Sequence, residues 1–174
     1  MRRIALLMLT ASAVSALVVG VITATAGNGD RSMPQMSQMH HAMHASQAIG
    51  SIYGAKAGKT FLDGPFMWRA HVKFFVDYTV ATAKKDEAAK QKAVANLQTY
   101  TVRFGDFLAG ATGLPKLALR NDLLGHVLEL KGQLDAYAKH QYTKAATMYE
   151  HAYDHMFMTG DLLAGAIAKQ KNLR

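Results

Sequence analysis

The chain has 174 residues, 20 basic against 12 acidic for a formal net charge of +8, and no cysteine. That length accommodates a signal segment and one domain with a modest core. The lack of thiols excludes disulfides, a Cys-type zinc site, a lipidated cysteine anchor and covalent c-type haem attachment.

Arg2 and Arg3 precede an apolar run from Ile4 to Val21, and Ala24-Thr25-Ala26 follows as a small-x-small site. This pattern predicts a secretory signal peptide over residues 1–26, with cleavage after Ala26. The apolar run nearly spans a bilayer, so the alternative is an uncleaved segment that anchors the chain. The expected location is therefore periplasmic or secreted, with membrane contact only if this segment is retained. The arginine pair alone does not make a twin-arginine signal.

Residues 27–63 are rich in Gly, Ser, Ala, Gln, Met and His, with Gly50, Gly54, Gly58 and Gly64 as punctuation, and predict a flexible arm and linker. Seven of the twelve residues from Met33 to His44 are thioether or imidazole donors: Met33, Met36, Met39, His40, His41, Met43 and His44. Thioethers suit Cu(I), and imidazoles suit Cu(I), Cu(II) and zinc. Met36, Met39, His40, Met43 and His44 fall at i, i+3, i+4, i+7 and i+8, which is one face of a helix. An unstructured segment could also wrap an ion, because thioether side chains adapt easily. The competing reading is an amphipathic segment whose methionines pack on the domain.

From residue 64 to 174 the pattern is helical, broken mainly at Gly113-Leu114-Pro115. Four apolar stripes are legible. The first is Trp68, Phe75 and Tyr78 with Val72, Val76 and Thr79. The second is Val94, Leu97, Thr101, Phe104 and Leu108. The third is Leu119, Leu123, Val127, Leu130, Leu134 and Tyr137. The fourth is Met148, Ala152, Met156, Thr159, Leu163 and Ala166. Pro115 suits the first turn of the third helix. A shift of 55 residues aligns His71-Val72 with His126-Val127 and Gly105-Asp106-Phe107-Leu108-Ala109-Gly110-Ala111 with Gly160-Asp161-Leu162-Leu163-Ala164-Gly165-Ala166. The expected fold is all-α: an antiparallel four-helix bundle built from a duplicated helical hairpin, preceded by the Met/His arm.

His71, His126 and His155 each sit three after and four before inward positions of their stripes. With turns near Asp86 and Gln141, His71 and His126 lie 15 residues before a turn, and Tyr100 and His155 lie 14 after one. At about 1.5 Å per residue all four fall in one layer. Met148, His151, His155 and Met158 share a stripe, and His151 with His155 forms an i, i+4 pair able to chelate a metal. The competing reading is a set of core histidines hydrogen-bonded by Tyr100 or Tyr149.

Other chemistries lack their residues. None of Glu87, Glu129 and Glu150 has a histidine three later, which excludes a di-iron bundle site. Zincin, Gly-rich phosphate-loop and Gly-x-Ser-x-Gly patterns are absent, so no enzyme class is indicated. Lys84, Lys85, Lys90 and Lys92 cluster without interleaved aromatics, which predicts a solvated helix face and no nucleic-acid partner. Haem held by Met67 and His155 is a weaker alternative than copper, as is zinc.

The signal segment, the Met/His cluster and the cysteine-free helical domain together resemble secreted bacterial Met/His-rich copper-binding proteins of the copper-resistance kind. Met39-His40-His41-Ala42-Met43-His44 looks like the Met/His core of small secreted domains of that class, with Met43-His44 where small or aliphatic residues stand in them. Trp68-x-x-His71 and Leu123-Leu124-Gly125-His126 look like secreted bacterial helical-bundle proteins, a resemblance that implies a fold and not an activity. The expected function is copper buffering, resistance or delivery without catalysis, with the ion and a periplasmic copper-handling protein as partners. The alternatives are a structural or partner-binding bundle without metal, and a haem electron carrier.

Overall fold

A computed structural model describes residues 33–172; the segments 1–32 and 173–174, and the side chains of residues 33–42, lie outside this description. The expected signal peptide and its cleavage site therefore fall outside it. The described chain is all-helical: α1 Met33–Tyr53, α2 Ala55–Asp63, α3 Trp68–Lys84, α4 Glu87–Thr112, α5 Lys116–Ala138 and α6 Tyr142–Gln170. No helix among the described residues is long and apolar enough to cross a membrane.

The helix ends follow local chemistry. The Asp86 carboxylate accepts a hydrogen bond from the Ala89 amide at 2.9 Å and starts α4. Gly113, left-handed at φ 74°, ends it. Pro115 is the N-cap of α5, one place before the expected first turn. The two tight turns share a closing bond: the Asp86 amide donates to the Ala81 carbonyl and the Gln141 amide to the Ala136 carbonyl, both at 2.9 Å.

Helices α3 to α6 each pack along the next, while α3 and α6 approach one another little. The core runs between them through Phe75, Tyr78, Leu97, Phe104, Leu119, Leu123, Leu130 and Leu134, all on the expected stripes. Arg120 ties α5 to α4 by donating from both Nε and a terminal nitrogen to Asp106, at 2.8 and 2.7 Å. Tyr78 donates to Asp135 at 2.6 Å, linking α3 to α5.

The glycine-punctuated stretch is not a linker. Residues 33–63 form α1 and α2, a hairpin that turns on the single residue Gly54 at φ 95°. Its glycines are contact points. A Cβ at Gly58 would lie 2.2 Å from the Ser46 carbonyl oxygen and 3.0 Å from the Gly50 nitrogen. Ser46 Oγ instead donates to the Gly58 carbonyl at 2.7 Å. Composition suggested flexibility, but the fourfold spacing of Ser46, Gly50, Gly54 and Gly58 brings two backbones together. The hairpin closes over the ends of α4 and α6 around an apolar cavity of about 50 Å³, lined by Ala45, Ile49, Phe61, Phe107, Leu163 and Ile167 among others. Phe61 meets Phe104 with ring centres 5.5 Å apart.

Gly58→Ala should separate α1 from α2 at a cost of roughly 1–3 kcal/mol, read as a lower melting temperature and faster amide exchange over residues 43–63. Gly110 is the control, since a Cβ there meets nothing within 4 Å; Gly110→Ala should stabilise by up to about 1 kcal/mol.

Candidate functional site

The three-four spacing of Trp68, His71, Phe75 and Tyr78 turns one face of α3 into the core, and it takes an imidazole along with the aromatics. His71 is 1 % exposed. Its ring stacks on Tyr100 of α4, with centres 4.6 Å apart and planes 19° from parallel, and meets Trp68 and Phe75 edge-on. The same spacing in Leu123, His126 and Leu130 buries His126, 2 % exposed, on α5. Its ring lies edge-on to His155 of α6, 6.1 Å between centres. The layer expected from the turn positions thus contains His71 against Tyr100 and His126 against His155.

None of the four nitrogens of His71 and His126 has a hydrogen-bond partner. The carbonyls of Met67 and Trp68 approach the first ring and that of Ala152 the second, near enough to favour a proton slightly but without hydrogen-bonding geometry. Tyr100 presents its face rather than its hydroxyl, and Tyr149 packs on Tyr153. The tyrosine partners expected for the core histidines are therefore not used. Burial holds the His71 ring at about 4, well below the ordinary histidine value. Burial also lowers His126 to about 3, and the nearby His71 and His155 add to the effect. Both rings are neutral near pH 7, each with an uncommitted lone pair.

His155 is placed differently. Its Nδ1 lies 2.9 Å from Glu129 Oε2 and its Nε2 3.2 Å from Asp122 Oδ1. Thr159 Oγ1 donates to the other Asp122 oxygen at 2.8 Å. One imidazole thus lies between two acidic side chains of α5. Gly125 makes room for it: a Cβ there would sit 2.9 Å from His155 Cε1. Asp122 and Glu129 escaped the sequence reading. Their signal was the spacing Asp122-His126-Glu129, four and three residues along α5, with Gly125 beside the histidine.

The fourth-helix stripe does not converge. Met148 lies against Gly132, where a Cβ would touch its Sδ at 2.9 Å. His151 faces solvent, and Met158 is 66 % exposed. His151 and His155 are not poised as a chelate, because both His155 nitrogens face carboxylates. The same commitment leaves His155 no nitrogen for the axial haem role with Met67. Among the described residues no three His, Asp or Glu side chains form a group able to hold a metal. In the N-terminal set, Met43 and His44 are exposed on α1; the side chains of Met33, Met36, Met39, His40 and His41 lie outside the described residues. No family model, curated protein or solved structure matches this chain.

The buried pair sets an acid limit. Above the free value of 6.5 both rings are neutral whether the chain is folded or not. Below it the unfolded chain takes up protons that the folded core refuses, so stability falls as pH drops from 6.5 toward 4 and below. The loss should reach on the order of 3 kcal/mol per ring. Urea unfolding at pH 7 and pH 4.5 measures it: the difference should shrink in His126→Leu and shrink further in His71→Phe with His126→Leu.

Proposed function

We propose that this chain is an exported copper-binding protein whose Met/His stripe on α1 captures the ion, for buffering, resistance or delivery and without catalytic turnover. The helices α3 to α6 serve as its body, an antiparallel four-helix bundle derived from a duplicated hairpin. The matched closing bonds of the two turns, the matched burial of His71 and His126 and the 55-residue register support that descent.

One observation carries the copper reading. Met43 is 43 % exposed and His44 faces solvent, while Ala45, Ala48 and Ile49 on the same helix are buried. Packing of α1 therefore uses its small and aliphatic residues, while Met43 stays exposed. Positions 36, 39 and 40 fall on the same helical face as 43 and 44, and α1 includes all five. An exposed methionine such as Met43 contributes little to a core. Thioethers with imidazoles and no thiol form a donor set that suits Cu(I) and persists where cysteine would be oxidised. A second copper-handling protein outside the cytoplasm is the natural recipient, since adaptable thioether ligation allows ligands to be exchanged stepwise.

Titrating the purified chain with Cu(I) and Cu(II) against competing chelators tests this. The chain should hold Cu(I) tightly. Met36→Leu, Met39→Leu and Met43→Leu combined with His40→Gln and His44→Gln, all helix-compatible, should abolish most of the capture. Unchanged affinity in that variant would remove the arm from the account. A haem absorption band after expression with haem, or no affinity for any ion, would favour the alternatives.

A further inference from the structure

The two tight turns of the body lie side by side and form one basic end. Tyr78, eight residues before Asp86, donates to Asp135, six before Gln141, at 2.6 Å. The α3–α4 and α5–α6 turns are therefore neighbours. Around them stand Lys84, Lys85 and Lys92 from the first hairpin and Lys139, His140 and Lys144 from the second, all exposed. In the sequence the second group lies far from the first, and only the fold joins them. We infer that this end of the body docks peripherally on an anionic lipid bilayer surface. The inference does not depend on the copper reading.

Three observations lead to it. First, the fold does not neutralise this charge. Among the described residues none of the five lysines makes an ion pair. The nearby carboxylates are committed elsewhere: Asp135 accepts from Tyr78 and Lys131 with Lys90 3.8 Å away, and Asp86 accepts from the Ala89 amide. Like charges gathered in this way repel and disfavour the compact state.

Second, helix electrostatics explain only part of the pattern. Cations suit helix C-termini, which accounts for Lys84 and Lys85 after α3 and for Lys139 and His140 after α5. Lys144 stands in the first turn of α6, where the helix dipole disfavours a cation and no acidic residue offsets it. Lys85 and His140, 55 residues apart, also hold left-handed backbone at φ 56° and 59°. Glycine takes that conformation with less strain, yet each turn carries a basic side chain there.

Third, the charge is spread over a surface and encloses no single anion. The hollow of about 320 Å³ between α3 and α4 is lined by Lys84 and Lys92 but equally by Asp77 and Asp86. Cations distributed over two turns match a surface whose anions are many and mobile, and each lysine near such a surface strengthens binding about fivefold. Tyr142, 54 % exposed with its hydroxyl 2.8 Å from His140 Nδ1, adds an amphipathic ring of the kind that sits at headgroup level.

Docking by this end orients the rest of the chain. The α1–α2 hairpin covers Phe107 and Leu163, which lie 21 and 22 residues along α4 and α6 from Asp86 and Gln141. At about 1.5 Å per residue this is roughly 30 Å. The hairpin therefore stands clear of the bilayer, with the body as spacer.

Sedimentation of the purified chain with vesicles tests this, using phosphatidylcholine alone or mixed equally with phosphatidylglycerol. The chain should bind the mixed vesicles, bind phosphatidylcholine far less, and be released by added salt. Lys84→Gln, Lys85→Gln, Lys139→Gln and Lys144→Gln together should weaken binding by at least about a hundredfold. Removing the same charge at the other end, by Lys56→Gln, Lys59→Gln, Lys116→Gln and Lys169→Gln, should weaken it by less than about tenfold. Hydrogen exchange of the wild type on the mixed vesicles should slow at residues 82–92 and 136–146 and not at residues 54–63, and this footprint decides alone if the first variant does not fold. Equal binding to the two vesicle types, which is what attachment through the apolar run of residues 4–21 would give, overturns the inference. So do an equal loss in the two variants and a lack of binding to the mixed vesicles. Capture by polyglutamate without binding to vesicles would assign this end to an acidic protein and overturn it as well.

Discussion

Burying an imidazole strips water from two nitrogens, and in this chain nothing replaces it at His71 or His126. The layer they occupy constrains everything around it. Trp68, Phe75 and Tyr100 close on the first ring from two helices, and Leu123, Val127 and Leu130 line the helix that carries the second. Such aromatic and aliphatic burial contributes about 1.5–3 kcal/mol per side chain, enough to carry two unpartnered rings in a core of this size. The His155 cluster sits at the edge of the layer, where Asp122 and Glu129 meet both ring nitrogens and Thr159 holds the second Asp122 oxygen. Two solutions for histidine thus occur within one helical turn: one ring fully bonded at the rim and two rings bare inside.

Much of this was legible in the sequence, and the reason is periodicity. The stripes of α3, α4 and α5 repeat at three and four, and large residues such as Phe75, Leu97 and Leu123 leave little doubt about which face is inward. The tight turns at Asp86 and Gln141 then fix the axial position of each residue, which is why His71 meets Tyr100 and His126 meets His155. The contribution of α6 was harder to read, because apart from Ile167 its buried positions are small: Ala145, Ala152, Thr159 and Ala164. Its showier residues, Met158 and His151, point to solvent. Small residues mark where a helix comes close, and large ones mark only what it would like to bury.

The same lesson explains the misread hairpin. Gly50, Gly54 and Gly58 resemble linker glycines in composition, and spacing alone separates the two meanings. Gly50 on α1 and Gly58 on α2, each four residues from the turn, let the two backbones meet across the hairpin, and of the three only Gly54 uses a positive φ. The charge cluster was missed for a different reason. Asp122 and Glu129 look like ordinary surface residues of α5 until His155 arrives from α6, and single-helix patterns do not show partners on another helix.

Donor side chains thus meet opposite conditions in one chain: Met43 is exposed on α1, while His71 on α3 and His126 on α5 are desolvated. The central claim is that burial keeps His71 and His126 unprotonated and unpartnered in the folded chain. Nitrogen-15 NMR of the histidine rings across a pH titration measures this directly. His71 and His126 should stay neutral from pH 8 down to pH 5, with ring nitrogens that show no strong hydrogen bond. A protonation midpoint near 6.5 for either ring would contradict the account.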